Sequence, residues 1–270
     1  YLYTSLACPW AHCTLIYRHL KGLEDVISIS VVDPFMADEG WAFGDSEGCI
    51  VDPLFGAGHM HEIYTQARNN YSGRVTVPVL WDRERGTIVN NESAEIIRMF
   101  NSEFSALAPE TPDYCPAELQ VEIDTVNERV YNDINNGVYR NGFAVTQQAY
   151  EEAFDKLFAA LDWVEDRLRR RRYLCGAQLT EADWRLFPTL LRFDCVYFGH
   201  FKCNFRRIED YPCLSNYLRE LYQIPGIAEL CNFRHIKEHY YRSHKSINPT
   251  CIVPSGPEMT LNQPHDRNRL

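Results

Sequence analysis

Over the first hundred residues, short apolar runs alternate with longer stretches in which apolar residues recur every three or four positions. The runs at Tyr1–Thr4, Val26–Val32, Val75–Trp81 and Thr87–Val89 read as strands. The periodic stretches at Pro9–Gly22 and His61–Arg68, and another from Ser93 onward, read as helices. The order is βαβ…αββα, an α/β arrangement. Gly22 suits the end of the first helix, and Asp82–Gly86 makes a loop between two runs suited to an antiparallel hairpin. After Pro109 and Pro112 the period becomes helical throughout, over about 116–135, 146–172, 181–198, 214–222 and 225–240. Thr180 and Asp183 have capping-box spacing, with Leu179 and Trp184 placed for a hydrophobic staple, while Pro188 should kink the helix that follows. The pattern therefore predicts an α/β domain over 1–105 and an all-α domain over 115–245. A tail over 246–270, rich in proline, is expected to run extended over the surface.

Residues 34–60 fit neither period. A stretch that long inside a compact domain is usually functional or disordered, and its aromatics Trp41, Phe43 and Phe55 favour function. With 270 residues, 45% of them hydrophobic, the chain can fill two modest cores. Its formal charge of −10 argues against nucleic acid or an anionic membrane as the main partner. No run approaches the roughly 18 apolar residues of a membrane span. The ten cysteines are scattered and form no CxxC pair, which reads as reduced thiols in a cytoplasmic protein. The opening directly on a strand suggests that an N-terminal extension is missing.

Three short segments carry candidate chemistry. Cys8-Pro9-Trp10-Ala11-His12 joins the first strand to the first helix. Pro9 suits the first helical position, which sets Cys8 beside the unpaired amides of the helix start, and those donors favour thiolate over thiol. A buried structural cysteine is the alternative. Pro78 lies inside an apolar run, where proline is confined to an edge, a bulge or a cis turn; taken alone, an edge strand is the better reading. Glu92-Ser93 precedes a helix, with Ser93 as its expected N-cap. A helix start attracts carboxylates and Glu92 can receive an ammonium group, although simple capping explains the serine equally well.

Taken together, Cys8-Pro9-Trp10-Ala11, Val77-Pro78 and Glu92-Ser93, followed by an all-helical half, resemble the thiol-using glutathione transferases. Further segments match the glutathionyl-hydroquinone reductases, or Xi-class glutathione transferases: Gly40–Phe43, Arg74–Asp82, Asn91–Ser93, Gly137–Gly142, His239–His244 and Ile247–Pro257. The resemblance covers essentially the whole chain. It implies a thioredoxin-like N-terminal domain, an all-α C-terminal domain, a cis Pro78 beside the thiol, and a homodimer. Glutathione is the implied cosubstrate, S-conjugated hydroquinones are the implied substrates, and no metal is required. Trp41 would pack on glutathione, Arg74, Val77 and Pro78 would hold its backbone, and Glu92 and Ser93 would take the γ-glutamyl end. Cys8 would be the nucleophile and Tyr139 the proton donor, with Tyr197 and Tyr240 hydrogen-bonding the thiolate. Core packing is the alternative for each tyrosine in a chain with 16 of them. An omega-like thioltransferase or dehydroascorbate reductase and a non-catalytic binding module are the competing functions.

Two positions depart from the family pattern. Cys13 stands where arginine is common and Cys251 where glycine is common. Cys13 lies roughly 140° around the helix from Cys8, a poor position for a resolving thiol, so a structural role is expected. Cys251 should strain a turn that favours glycine. His235, His239 and His244 lack the acidic partner of a zinc motif. The basic run Arg167–Arg172 is expected to complement the negative pole of a long helix.

Overall fold

A computed structural model describes all residues from Tyr1 to Leu270. In chain order it contains β1 (Leu2–Thr4), α1 (Pro9–Leu20), β2 (Ile29–Val31), α2 (Met60–Ala67), β3 (Val79–Asp82), β4 (Thr87–Asn90) and α3 (Ser93–Ser102). Then follow α4 (Gln120–Arg129), α5 (Gly137–Gly142), α6 (Gln147–Leu168), α7 (Glu181–Arg192), α8 (Pro212–Tyr222) and α9 (Phe233–Ser243). No helix is long and apolar enough to cross a membrane.

The chain divides into two compact units. The first comprises Tyr1–Pro112, Glu229–Lys245 and Thr250–Val253, and the second the remainder. The break between them falls after Pro112. Helix α9 belongs to the first unit, however, although the periodicity grouped it with the helical half. The predicted 225–240 helix is also shorter and later, beginning only at Phe233 after a 3₁₀ turn at Ala228–Leu230.

In the first unit the sheet order is β2-β1-β3-β4, with β1 parallel to β2 and the other pairs antiparallel. All three residues of β1 are buried, as expected of a central strand covered on both faces. Leu15 and Ile16 of α1 and Ile96, Ile97 and Phe100 of α3 are almost wholly buried, and the two helices pack on each other. Gly22 ends α1 with φ +61°, and a Cβ there would stand 2.9 Å from Pro109 Cδ, so conformation and space both require glycine. The predicted strand Val75–Trp81 begins only at Val79, because cis Pro78 precedes it and lacks an amide for the ladder.

The second unit is helical. Two predicted helices end in π-type turns, α4 continuing into Val130–Asn135 and α7, which runs through Pro188, into Phe193–Tyr197. Thr180 and Asp183 form the expected capping box: the Asp183 carboxylate accepts from Thr180 N at 2.8 Å, and also from Leu174 N and the Tyr217 hydroxyl. Glu165 of α6 accepts from Cys213 N and Leu214 N at the start of α8, placing negative charge at that helix's positive pole. The tail has no regular element before its last 3₁₀ turn, yet it is not simply a surface ribbon. Arg267 is fully buried and donates to the carbonyls of Leu168, Arg171 and Arg172 just past α6. The basic run is likewise engaged: Arg167 and Arg171 pair with Glu122, and Arg172 with Glu220.

Candidate active site

Cys8 is the N-cap of α1, with Pro9 in the first turn and His12 N bonded to the Cys8 carbonyl at 2.9 Å. The proline costs no hydrogen bond here, because the first amides of a helix have no intrahelical acceptor. The thiol is 9% exposed, and its Sγ lies 3.7 Å from the Val77 carbonyl. The Val77–Pro78 peptide is cis, as the family resemblance implied and against the edge-strand reading of Pro78 taken alone. Cys8, Trp41 and Val77 share one buried cluster with Tyr3, Ala11, Met60, Ile63 and Tyr64. Positions 8, 41 and 77 are thus brought together inside the first unit.

Tyr64, which no motif singled out, ties two of the candidate segments to each other. Its hydroxyl donates to the Thr76 carbonyl at 3.0 Å and accepts from Asn91 Nδ2 at 3.1 Å, joining the segment before Pro78 to the one before Glu92. The only sequence signal for it was its place on the apolar face of α2. Glu92, not Ser93, is the N-cap of α3: its carbonyl accepts from Ile96 N, and Ser93 is the first helical residue. Both precede or occupy the positive end of that helix, where backbone donors favour a carboxylate. Glu92 and Arg74 are exposed, and Ser93 is partly so.

The loop at 34–60 is ordered by two carboxylates. Asp33 accepts from Phe35 N and the Ser46 hydroxyl, and Asp52 accepts from Leu54 N, Phe55 N, Ala57 N and the Tyr3 hydroxyl. Trp41, 8% exposed, follows Gly40, whose φ of +80° closes a turn back to Ala37. Tyr240 lies on α9 in this same unit, fully buried, with its ring edge-on to His239 and His244. Tyr139 on α5 and Tyr197 belong to the second unit, with ring centroids 6.1 Å apart and Phe201 against both. Gly142, one turn beyond Tyr139, has no room for a Cβ, which would fall 2.2 Å from the Phe201 ring.

Two of the three histidines His235, His239 and His244 have a ring nitrogen engaged by backbone. His235 Nε2 lies 2.7 Å from the Glu47 carbonyl and His239 Nδ1 2.9 Å from the Pro34 carbonyl, so each of these nitrogens is a donor rather than a ligand. Burial pushes His244 down from 6.5 to about 4, leaving it neutral near pH 7. Glu39, His59 and His61 do bring possible ligand atoms within 4.8 Å of one another, but they sit at the positive pole of α2, which disfavours a cation. Cys13 is buried with its thiol on the Pro9 carbonyl, consistent with a structural role, and no disulfide joins any of the ten cysteines. Cys251 has φ +54°, the left-handed conformation in which glycine is at home.

Comparison with known proteins gives the same outline. Residues 7–103 match the glutathione S-transferase N-terminal domain and residues 147–220 the C-terminal domain. The chain is 56% identical to glutathionyl-hydroquinone reductase YqjG of Escherichia coli strain K12, over 99% of this chain and 82% of that protein. It is 54% identical to glutathionyl-hydroquinone reductase PcpF of Sphingobium chlorophenolicum, over 97% and 83%. The solved structure of a Xi-class transferase from Natrialba magadii superposes with a TM-score of 0.98 at 51% identity, covering all of this chain and 83% of that one.

Proposed function

The chain belongs to the glutathione transferase family, in the Xi class of glutathionyl-hydroquinone reductases, and from that membership we propose that it reduces glutathionyl-hydroquinones with glutathione through Cys8. The observation that carries the thiol chemistry is Cys8 at the N-cap of α1, its Sγ 3.7 Å from the carbonyl of the cis Val77–Pro78 peptide. The relatives' names supply the substrate class.

In the proposed reaction the Cys8 thiolate attacks the sulfur of the S-conjugated glutathione. The sulfur–carbon bond breaks, its electron pair stays with the aromatic carbon, and Tyr139 protonates that carbon to release the hydroquinone. A Cys8–glutathione disulfide remains. The thiolate of a second glutathione attacks its glutathionyl sulfur, releasing oxidised glutathione and the Cys8 thiolate, while the proton lost by that glutathione restores Tyr139. The substrate is reduced by two electrons and two glutathione units are oxidised to one disulfide. Trp41, Arg74, Val77, Pro78, Glu92 and Ser93 hold the tripeptide. Tyr197 and Tyr240 hydrogen-bond the thiolate, and the tyrosines with Trp41 stack on the quinol ring. We assign the protein to the cytoplasm, on ten scattered cysteines with no CxxC pair and no disulfide, and to a homodimer, on family resemblance.

Intact-mass analysis during turnover of glutathionyl-menadione tests this reading. One glutathione should appear on the protein, located at Cys8, and Cys8→Ser should show neither adduct nor turnover; a fully active Cys8→Ser protein overturns it. An omega-like activity is the second reading, favoured by 46% identity to glutathione S-transferase omega-like 2 of Schizosaccharomyces pombe. Efficient reduction of a glutathione mixed disulfide, with glutathionyl-menadione left unchanged, would select it instead.

A further inference from the structure

The loop that carries Trp41 is fastened along its length by one face of α9. His235, His239 and Ser243 recur at four-residue intervals and so line a single stripe of that helix. His235 Nε2 holds the Glu47 carbonyl at 2.7 Å, His239 Nδ1 holds the Pro34 carbonyl at 2.9 Å, and Ser243 Oγ accepts from Met36 N at 3.0 Å. Beside the stripe, the Arg242 guanidinium lies 5.0 Å over the Phe35 ring, and Arg234 pairs with Glu47 at 2.6 Å. At the centre the His239 imidazole stacks on the Trp41 indole, with centroids 4.7 Å apart and planes inclined by 18°. The carbonyl of Pro34 can only accept, so His239 Nδ1 carries the proton of that bond and the ring cannot flip without losing it.

We propose that His239 is a positioning residue for glutathione binding: anchored to Pro34 and stacked on Trp41, it fixes the plane of the indole that receives the tripeptide. This rests on the reading above that Trp41 packs on glutathione. The residue acts through Trp41 and does not touch the reacting sulfur, so its removal should weaken binding and spare the chemical step. A close aromatic pair contributes about 0.5–1.5 kcal/mol, which corresponds to roughly 2- to 12-fold in a dissociation constant.

A double-mutant cycle with calorimetric titration of glutathione tests the assignment. His239→Ala should raise Kd and KM for glutathione by roughly 2- to 12-fold, with kcat at saturation changed by less than about twofold. His239→Phe, which keeps a ring on the indole, should restore most of the affinity. His239→Gln, which offers a donor but no ring, should not. In a Trp41→Ala background His239→Ala should add nothing. Equal losses with and without Trp41, or a fall in kcat with KM unmoved, would overturn the proposal. Should His239→Ala fail to fold, His239→Phe and His239→Gln carry the same contrast. If Trp41→Ala alone leaves affinity intact, the reading of Trp41 as the glutathione platform fails. If Trp41→Ala weakens binding and no His239 variant does, only the present inference is lost.

Discussion

The two units solve different problems with different materials. In the first, the candidate site is built largely from backbone: a helix start at Cys8, a cis peptide at Val77–Pro78, a left-handed Gly40 and a helix start at Glu92. Its buried charges are few, chiefly Lys21 and Asp52. The second unit buries Glu165, Asp183, Glu220 and Arg267, each bonded to groups from distant parts of the chain. Backbone devices present donors and acceptors in fixed directions without side-chain entropy, which suits recognition of a peptide such as glutathione. Buried carboxylates instead lock helices to one another, because removing one strands several donors at once.

The contrast makes its largest prediction in activity. Cys8→Ser should abolish turnover while leaving the urea midpoint nearly unchanged, since serine is close to isosteric with the cysteine it replaces. Next comes stability in the second unit. Asp183→Ala leaves Thr180 N, Leu174 N and the Tyr217 hydroxyl unmet and should lower the unfolding free energy by roughly 3 kcal/mol in urea titration, with Asp183→Asn losing less.

Acid should separate the units. Burial holds His244, in the first unit, down at about 4; below 6.5 the unfolded chain takes a proton that the folded one refuses, so stability falls as the pH drops from 6.5 to 4. Asp194, in the second unit, is pushed up to about 6 by burial. The folded chain then keeps a proton that the unfolded chain releases above 3.8, so stability falls as the pH rises from 3.8 through 6. Between pH 7 and pH 5, hydrogen exchange corrected for its intrinsic pH dependence should show α9 losing protection by on the order of 2 kcal/mol while Ile208–Asp210 gains on the order of 1 kcal/mol. His244→Gln should remove the loss at α9 and leave the gain at Ile208–Asp210. The smallest effect belongs to Cys251→Gly, which relieves a left-handed residue and should stabilise the protein by about 0.5–1 kcal/mol in the same urea assay.

Much of the site was legible because its parts are local. Proline after Cys8 marks a helix start, and Gly22 and Thr180–Asp183 mark an end and a beginning, each readable within a few residues. Ser93 was misplaced by one position because a helix start is defined by backbone angles, and Glu92 supplies the capping carbonyl without any side-chain bond. The role of Tyr64 was invisible, since an apolar-face tyrosine on α2 looks the same whether or not its hydroxyl joins Thr76 to Asn91. Arg267 was read as part of an exposed tail, because nothing adjacent to it in sequence announces the carbonyls of Leu168 and Arg171 that bury it.

By itself the amino-acid order determined the βαβ…αββα opening, the helical second half, the thiol at a helix start and the family to which these belong. The first three follow from periodicity, punctuation by proline and glycine, and short spacings, while the family follows from the resemblance of its motifs to known members. Tertiary structure alone decided that α9 packs with the first unit, that His239 backs Trp41 from 198 positions away along the chain, and that Asp183 and Glu165 serve as buried struts. Such contacts depend on closing long loops and desolvating particular polar pairs. Their free energy is not encoded in any local pattern.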